Sequence, residues 1–84
     1  DWVDCDLDEY LQVGDLVDQD MADYFLDVLP PAYDTSFMIQ VGEECDNVDG
    51  KPTFSTIVKT VDGWEYRGEC FLGETKEPDI KRKA

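Results

Sequence analysis

Hydrophobic residues recur at helical spacing in the segment that precedes the double proline of the chain. Five of them occupy positions i, i+3, i+4, i+7 and i+8 of one stripe: Met21, Tyr24, Phe25, Val28 and Leu29. Asp18 precedes this run and is a suitable N-cap, so the helix is expected to begin near Gln19. Pro30 and Pro31 cannot continue a helix. The pattern therefore predicts a helix that buries this stripe and ends at about Leu29.

A shorter helical pattern lies nearer the start of the sequence. In LDEYLQVG, Leu7, Tyr10 and Leu11 have helical spacing, and acidic residues precede them where the helix dipole favours negative charge. Gly14 can end this helix. We therefore expect a first helix over residues 6–13, followed by a short extended link in DLVD.

The period changes from helical to alternating after the prolines. In SFMIQVGE, Phe37, Ile39 and Val41 share one face, and Met38 and Gln40 share the other. This alternation predicts a half-buried strand in which Phe37, Ile39 and Val41 point inward. The polar segment EECDNVDGKP that follows is expected to be a loop.

A hairpin is predicted around the dipeptide Asp62-Gly63, which lies between two β-rich runs. Pairing Val61 with Trp64 across this turn sets the register of both strands. One face would then meet the helix, with the pairs Val61/Trp64, Lys59/Tyr66, Ile57/Gly68 and Ser55/Cys70. The other face would turn Glu65, Arg67 and Glu69 to water, together with a semi-apolar strip of Phe54, Val58 and Phe71.

These elements predict an α+β fold in which one or two N-terminal helices pack on a three-stranded, mostly antiparallel sheet. Residues 1–75 would form a single domain, and residues 76–84 a flexible basic tail. The expected core consists of Met21, Tyr24, Phe25, Val28, Leu29, Phe37, Ile39, Val41, Ile57, Val61, Trp64 and Tyr66. A chain of 84 residues has a thin core.

Charge is divided unevenly along the chain. Residues 1–50 carry fifteen Asp and Glu and no Lys or Arg, whereas residues 51–84 carry six acidic and seven basic residues, and the formal net charge is −14. A block of one sign creates a directional field and costs self-repulsion. The layout indicates that the acidic half forms a surface with a use beyond solubility. We expect the partner-binding residues there to be Asp15, Asp18, Asp20, Asp23, Asp27, Glu43 and Glu44.

Several function classes receive no support from the sequence. No apolar run approaches the roughly 20 residues that span a bilayer, and the N-terminus lacks the features of a secretion signal, so we expect a soluble, cytoplasmic protein without a membrane partner. The chain has no histidine and no Gly-rich phosphate loop. Its net charge opposes direct binding of nucleic acid. We expect no catalytic residue and no cofactor.

Two segments are similar to calcium loops, and each lacks a required residue. The first has acids at positions one, three, five and twelve of an EF-type loop (Asp4, Asp6, Asp8 and Asp15), but Glu9 replaces the required glycine. The second contains NVDG but would begin at Cys45 and end at Thr56. No metal site is therefore predicted. Three separated cysteines without a CxxC spacing indicate free thiols in a reducing compartment.

The run YFLDVLPP, together with Phe37 and QVGEE, resembles a motif of small uncharacterised proteins carried on bacterial mobile elements. In that family a helix ending Y-F-L-E-V-L-P-P precedes a strand, and the resemblance covers about residues 18–44. Asp27 stands where the motif has glutamate. The resemblance implies a bacterial or phage origin and a small α+β domain, and it supplies no activity.

Two functions are compatible with these features. The first is a non-enzymatic interaction protein that presents its acidic helical surface to a basic protein, in its sharpest form a nucleic-acid mimic that inhibits host defence or regulation. The alternative is a small enzyme or ligand-binding protein with a carboxylate-lined pocket. The open edges of a three-stranded sheet and the semi-apolar strip also predict a homodimer.

Overall fold

The computed structural model describes residues 11–76, with the side chains of residues 43–46 excepted. Its elements are β1 (Leu16–Val17), α1 (Gln19–Val28), β2 (Pro31–Asp34), β3 (Met38–Val48), β4 (Lys51–Thr60) and β5 (Gly63–Phe71). The α+β class is confirmed. The predicted helix over residues 6–13 lies mostly outside the described residues, and residues 11–13 are not helical. The predicted tail, residues 76–84, also lies outside them apart from Lys76.

The sheet has five strands among the described residues, so the predicted three strands were too few. The strand order is β1-β5-β4-β3-β2, and every neighbouring pair is antiparallel. The two strands that were not predicted flank the helix and hold two and four residues. Strands this short contain too few positions to show an alternating pattern. They lie at opposite edges, so α1 crosses one face of the sheet from edge to edge.

Helix α1 begins and ends as the sequence predicts. The carboxylate of Asp18 accepts a hydrogen bond from the backbone N–H of Met21 at 2.9 Å, which caps the first turn. Leu29 leaves the helix with an extended backbone ahead of Pro30, while its N–H still bonds to the carbonyl of Phe25. The local signals at both ends were sufficient to set these bounds.

The buried face of α1 is rotated from the predicted one. Ala22, Phe25 and Leu29 are buried, whereas Met21, Tyr24 and Val28 are 42 %, 52 % and 39 % exposed. The prediction counted only large apolar side chains and therefore missed Ala22. A small residue at the centre of the contact face lets the helix lie close to the sheet, and the core of the described residues forms there. Its members are Val17, Ala22, Phe25, Leu29, Ile39, Val41, Ile57, Trp64 and Tyr66.

Two further predicted core residues are exposed. Phe37 precedes β3 and is 52 % exposed, and Val61 lies in the β4–β5 turn with its side chain wholly in solvent. The other face of β3 is buried as well, because Met38 and Gln40 are covered. The half-buried strand predicted there is therefore buried on both faces.

Of the two Asp-Gly dipeptides, Asp49-Gly50 forms the turn that the sequence suggested for Asp62-Gly63. Asp49 and Gly50 have φ of 55° and 81°, as a type I′ turn requires, and they join β3 to β4 in place of the predicted loop. At the second dipeptide only Gly63 has positive φ, 126°, so the turn is formed by Val61 and Asp62 instead. A type I′ turn needs two left-handed residues, and this site supplies one.

The register of the β4–β5 hairpin differs from the predicted one by two residues. Lys59 pairs with Trp64 and Ile57 pairs with Tyr66. A shift of two residues preserves which face a side chain occupies, so Ile57, Trp64 and Tyr66 still point to the helix. A bulge at Arg67 then adds one residue to β5.

The bulge reverses the faces over the end of β5. Beyond it, Glu69 pairs with Ser55 and is buried, although it was predicted to face water. Phe71 pairs with Thr53 rather than with Phe54. The predicted strip of Phe54, Val58 and Phe71 is therefore not a single face.

Candidate acidic interaction surface

Three aspartates form a row on the outer side of α1. Asp20, Asp23 and Asp27 are exposed, and they lie three and four residues apart on the side of the helix away from Phe25 and Leu29. With a rise of 1.5 Å per residue, the row extends about 10.5 Å along the helix axis. We call these three residues the aspartate row.

Basic side chains do not neutralise this row within the described part of the chain. The ion pair resolved there joins Arg67 to Glu65 on β5 at 3.6 Å. The ammonium groups of Lys59 and Lys51 lie 5.4 Å and 5.7 Å from the ring centroids of Trp64 and Phe71. Among residues 11–76, the aspartate row is therefore exposed to solvent without an ion pair to a basic side chain.

Two other predicted site residues have local structural roles. Asp15 accepts a hydrogen bond from the backbone N–H of Gln12 at 2.9 Å and closes the turn that leads into β1. Asp18 caps α1, as described above. Both carboxylates are exposed and add to the local negative charge, but each already accepts a bond from the backbone. Each therefore has a structural role in addition to any part in binding a partner.

The remaining two predicted site residues, Glu43 and Glu44, belong to β3. Their side chains lie outside the described part of the structure, so the prediction for them stays a prediction. The structure brings together Asp20, Asp23 and Asp27, with Asp15 and Asp18 near the start of the same helix.

A polar link connects the aspartate row to the core. Trp64 donates its indole N–H to the side-chain oxygen of Gln19 at 3.0 Å, and the amide nitrogen of Gln19 donates to Asp23 at 3.0 Å. Trp64 is buried on β5, so this link joins the first turn of α1 to the sheet. It restricts how the helix can rotate about its own axis and thereby orients the aspartate row.

An apolar stripe lies beside the aspartate row, and sequence reasoning placed it in the core. Met21, Tyr24 and Val28 are spaced three and four residues apart and are exposed along two turns. The rings of Tyr24 and Phe25 lie 6.4 Å apart, centroid to centroid. The signal that could have shown this arrangement is Ala22, which shares a helical face with Phe25 and Leu29 but not with Tyr24 and Val28.

Most carboxylates of the described residues lie at the surface. Glu69 is the buried one, and the others that the structure describes are partly or fully exposed. The same residues contain no group of three or more side chains placed to hold a metal ion. The second calcium-like segment is a β-hairpin around Asp49-Gly50, and the first lies mostly outside the described range.

No helix in the described range is long and apolar enough to cross a membrane.

Comparison of the chain with protein-family models, with curated proteins and with solved structures found no match.

Proposed function

We propose that this chain is a non-enzymatic interaction protein whose acidic helical surface binds a basic surface of another protein. The observation that carries the proposal is the aspartate row, three exposed carboxylates on one side of α1 with no described basic side chain paired to them. Like charges one turn apart repel each other by a few tenths of a kcal/mol. A basic partner would relieve this repulsion, and the field would accelerate its encounter.

The sharpest form of the proposal is a mimic of nucleic acid that occupies the binding groove of a DNA- or RNA-binding protein. The charge density of the aspartate row supports this form only in part. Its spacing is about one charge per 5 Å of axis, whereas duplex DNA carries one per about 1.7 Å. Full mimicry would therefore require further acids of residues 1–50 beside α1.

Salt dependence and charge neutralisation test the proposal together. The chain is immobilised, and partner capture is measured at about 0.1 M and about 1 M salt, where the Debye length falls from about 10 Å to about 3 Å. We expect capture to fall steeply. The variant Asp20→Asn, Asp23→Asn, Asp27→Asn should lose most of the capture at the lower salt concentration.

The matched control removes three charges elsewhere. Asp34, Asp62 and Glu74 are exposed and lie outside α1, so the variant Asp34→Asn, Asp62→Asn, Glu74→Gln has the same net charge as the helix variant. Capture should be retained by this control. Equal losses in both variants would show that net charge, and not the helical surface, governs binding.

A competition experiment addresses the sharper form. If the partner uses a nucleic-acid groove, a duplex oligonucleotide should displace the chain from the captured partner. Capture that neither salt nor the helix variant affects would contradict the proposal and favour the alternative, an enzyme or ligand-binding protein with a carboxylate-lined pocket.

A further inference from the structure

The outer surface of α1 is divided lengthwise into an apolar half and an acidic half. Successive residues of a helix are separated by about 100° around its axis, so Tyr24 and Asp20 are about 40° apart. Met21, Tyr24 and Val28 therefore run parallel to the aspartate row over the same two turns. We call these three residues the apolar stripe.

This arrangement differs from ordinary exposed hydrophobic residues. Single apolar side chains on a surface need no explanation, whereas contiguous ones mark interaction sites. The stripe contains Met and Tyr, which are enriched in protein interfaces, and the adjacent row contains Asp, which is depleted in interface cores and suits the polar rim. The stripe and the row thus have the composition of a core and of one edge of a binding site.

We propose that α1 docks an amphipathic helix of a partner protein, with an apolar stripe of its own and with Lys or Arg along one edge. The inference rests on the proposed function and specifies the partner's chemistry. Charge complementarity selects this occupant, because Asp20, Asp23 and Asp27 would face the basic edge while the two apolar stripes pack together. The two turns between Met21 and Val28 are long enough for side chains of two helices to interdigitate.

A second copy of the chain does not fit this surface. Dimerisation through α1 would bring together two chains that each carry a net charge of −14, and in an antiparallel pair the two aspartate rows would lie along the same edge, where like charges are unfavourable. An uncharged apolar partner would leave the aspartate row without an opposite charge along its edge.

The two halves of the surface have different roles in binding. Charged residues at the edge mainly raise the association rate, whereas the apolar contact mainly slows dissociation. Neutralising the aspartate row should therefore lower the association rate and its dependence on salt. Truncating the apolar stripe should raise the dissociation rate and leave the association rate nearly unchanged.

Three synthetic helical peptides of about 15 residues test the inference, since shorter ones form helix poorly in water. The first has a leucine stripe edged by lysines, the second has glutamines in place of the leucines, and the third has glutamates in place of the lysines. Binding of each fluorescent peptide to the whole chain is followed by anisotropy. We expect the first to bind at least about tenfold more tightly than either of the others, a difference of about 1.4 kcal/mol.

Variants locate the binding on α1. Met21→Gln with Tyr24→Gln should weaken the first peptide about tenfold or more. The matched control is Phe37→Gln, because Phe37 is as exposed as Tyr24 but lies outside the helix. Thermal melts of both variants show whether the fold is retained. If melting shows a loss of fold, Met21→Lys alone provides the second variant, and it should weaken binding because it puts a charged side chain into the apolar contact.

The outcomes separate this inference from the proposed function. If the second peptide binds as tightly as the first, or if the stripe variants bind the first peptide like the unmodified chain, the apolar stripe is not a docking surface. That result would leave the salt-dependent capture by the aspartate row untouched. Self-association in the absence of peptide that Tyr24→Gln abolishes would also overturn the inference, because the occupant would then be a second copy.

Discussion

Trp64 donates its indole N–H to the side chain of Gln19 across 45 residues of sequence. The bond joins the buried centre of β5 to the first turn of α1. The amide nitrogen of Gln19 in turn donates a hydrogen bond to a carboxylate oxygen of Asp23 at 3.0 Å. Because Trp64 is held on the sheet, the bond favours the rotation of α1 that buries Ala22 and Phe25. The same rotation leaves the apolar stripe and the aspartate row in solvent.

Removing the acceptor of this bond should destabilise the chain modestly. Gln19→Ala deprives the indole of its partner, and because Gln19 is exposed, water can replace part of the bond. We expect a loss of about 0.5–1.5 kcal/mol in the free energy of unfolding, measured by urea denaturation. Gln12→Ala is the control, since Gln12 is exposed and joins its turn through its backbone. Equal losses in both variants would show that the Trp64–Gln19 bond contributes nothing.

A larger effect is expected at Gln40, which is completely buried. Its side chain accepts from the N–H of Gly73 at 2.7 Å and donates to the carbonyl of Phe71 at 2.9 Å and to the hydroxyl of Thr56 at 3.0 Å. It thereby fastens the segment after β5 to the sheet. Gln40→Leu keeps the volume but leaves the N–H of Gly73 without this partner, at about 1–3 kcal/mol. The carbonyl of Phe71 keeps its bond from the N–H of Glu74, and the hydroxyl of Thr56 keeps its bond to the carbonyl of Phe54.

Amide hydrogen exchange distinguishes this role from simple packing. In Gln40→Leu, the N–H of Gly73 should exchange much faster with solvent than in the unmodified chain. The exchange rate of the N–H of Ile57 in β4 should change only as much as the free energy of global unfolding does. Unchanged protection of Gly73 would contradict the assignment.

The same substitution should have effects of different size in the two hairpin turns. Asp49 has a left-handed backbone, φ 55°, so Asp49→Ala should cost about 1 kcal/mol. Asp62 does not have positive φ, and Asp62→Ala should change stability by less than about 0.5 kcal/mol. Thermal or urea unfolding of both variants measures the difference. If Asp62→Ala is the more costly, the type I′ turn has been placed at the wrong dipeptide.

Charges at the two ends of α1 should affect stability in opposite directions. Asp18→Ala removes the N-cap bond to Met21 and should cost about 1 kcal/mol. Asp27 lies in the last turn, near the negative end of the helix dipole and one turn from Asp23. Asp27→Asn should therefore raise stability by a few tenths of a kcal/mol, while weakening capture of a basic partner. A destabilised Asp27→Asn would indicate that this carboxylate has a structural role.

The homodimer stays a prediction, although the structure weakens both of its grounds, the open sheet edges and the semi-apolar strip. The edge strands hold two and four residues, and the longer one begins with Pro31, so neither edge is long and unprotected. Sedimentation at micromolar concentration tests for a species of twice the chain mass. A single species of one chain mass, unchanged on raising the concentration tenfold, would remove the dimer.

The sequence alone determined the features that depend on neighbouring residues. Asp18 and Pro30 set the ends of α1, the alternation after Pro31 indicated β3, and the spacing of Asp20, Asp23 and Asp27 put them on one helical side. These signals act over a few residues through hydrogen bonds and backbone sterics, so they hold in most folds. The class and the aspartate row could therefore be predicted.

Tertiary structure decided which faces are buried and which strands pair. Ala22 is an inward residue only because the sheet lies against it, and Glu69 is buried because the bulge at Arg67 shifts the end of β5 by one residue. Gln40 is covered because Gly73 folds back to it. Each outcome depends on contacts between residues distant in sequence, whose energies a local pattern does not contain. The apolar stripe of α1 became visible for the same reason, since only the position of the sheet shows which side of the helix is left in solvent.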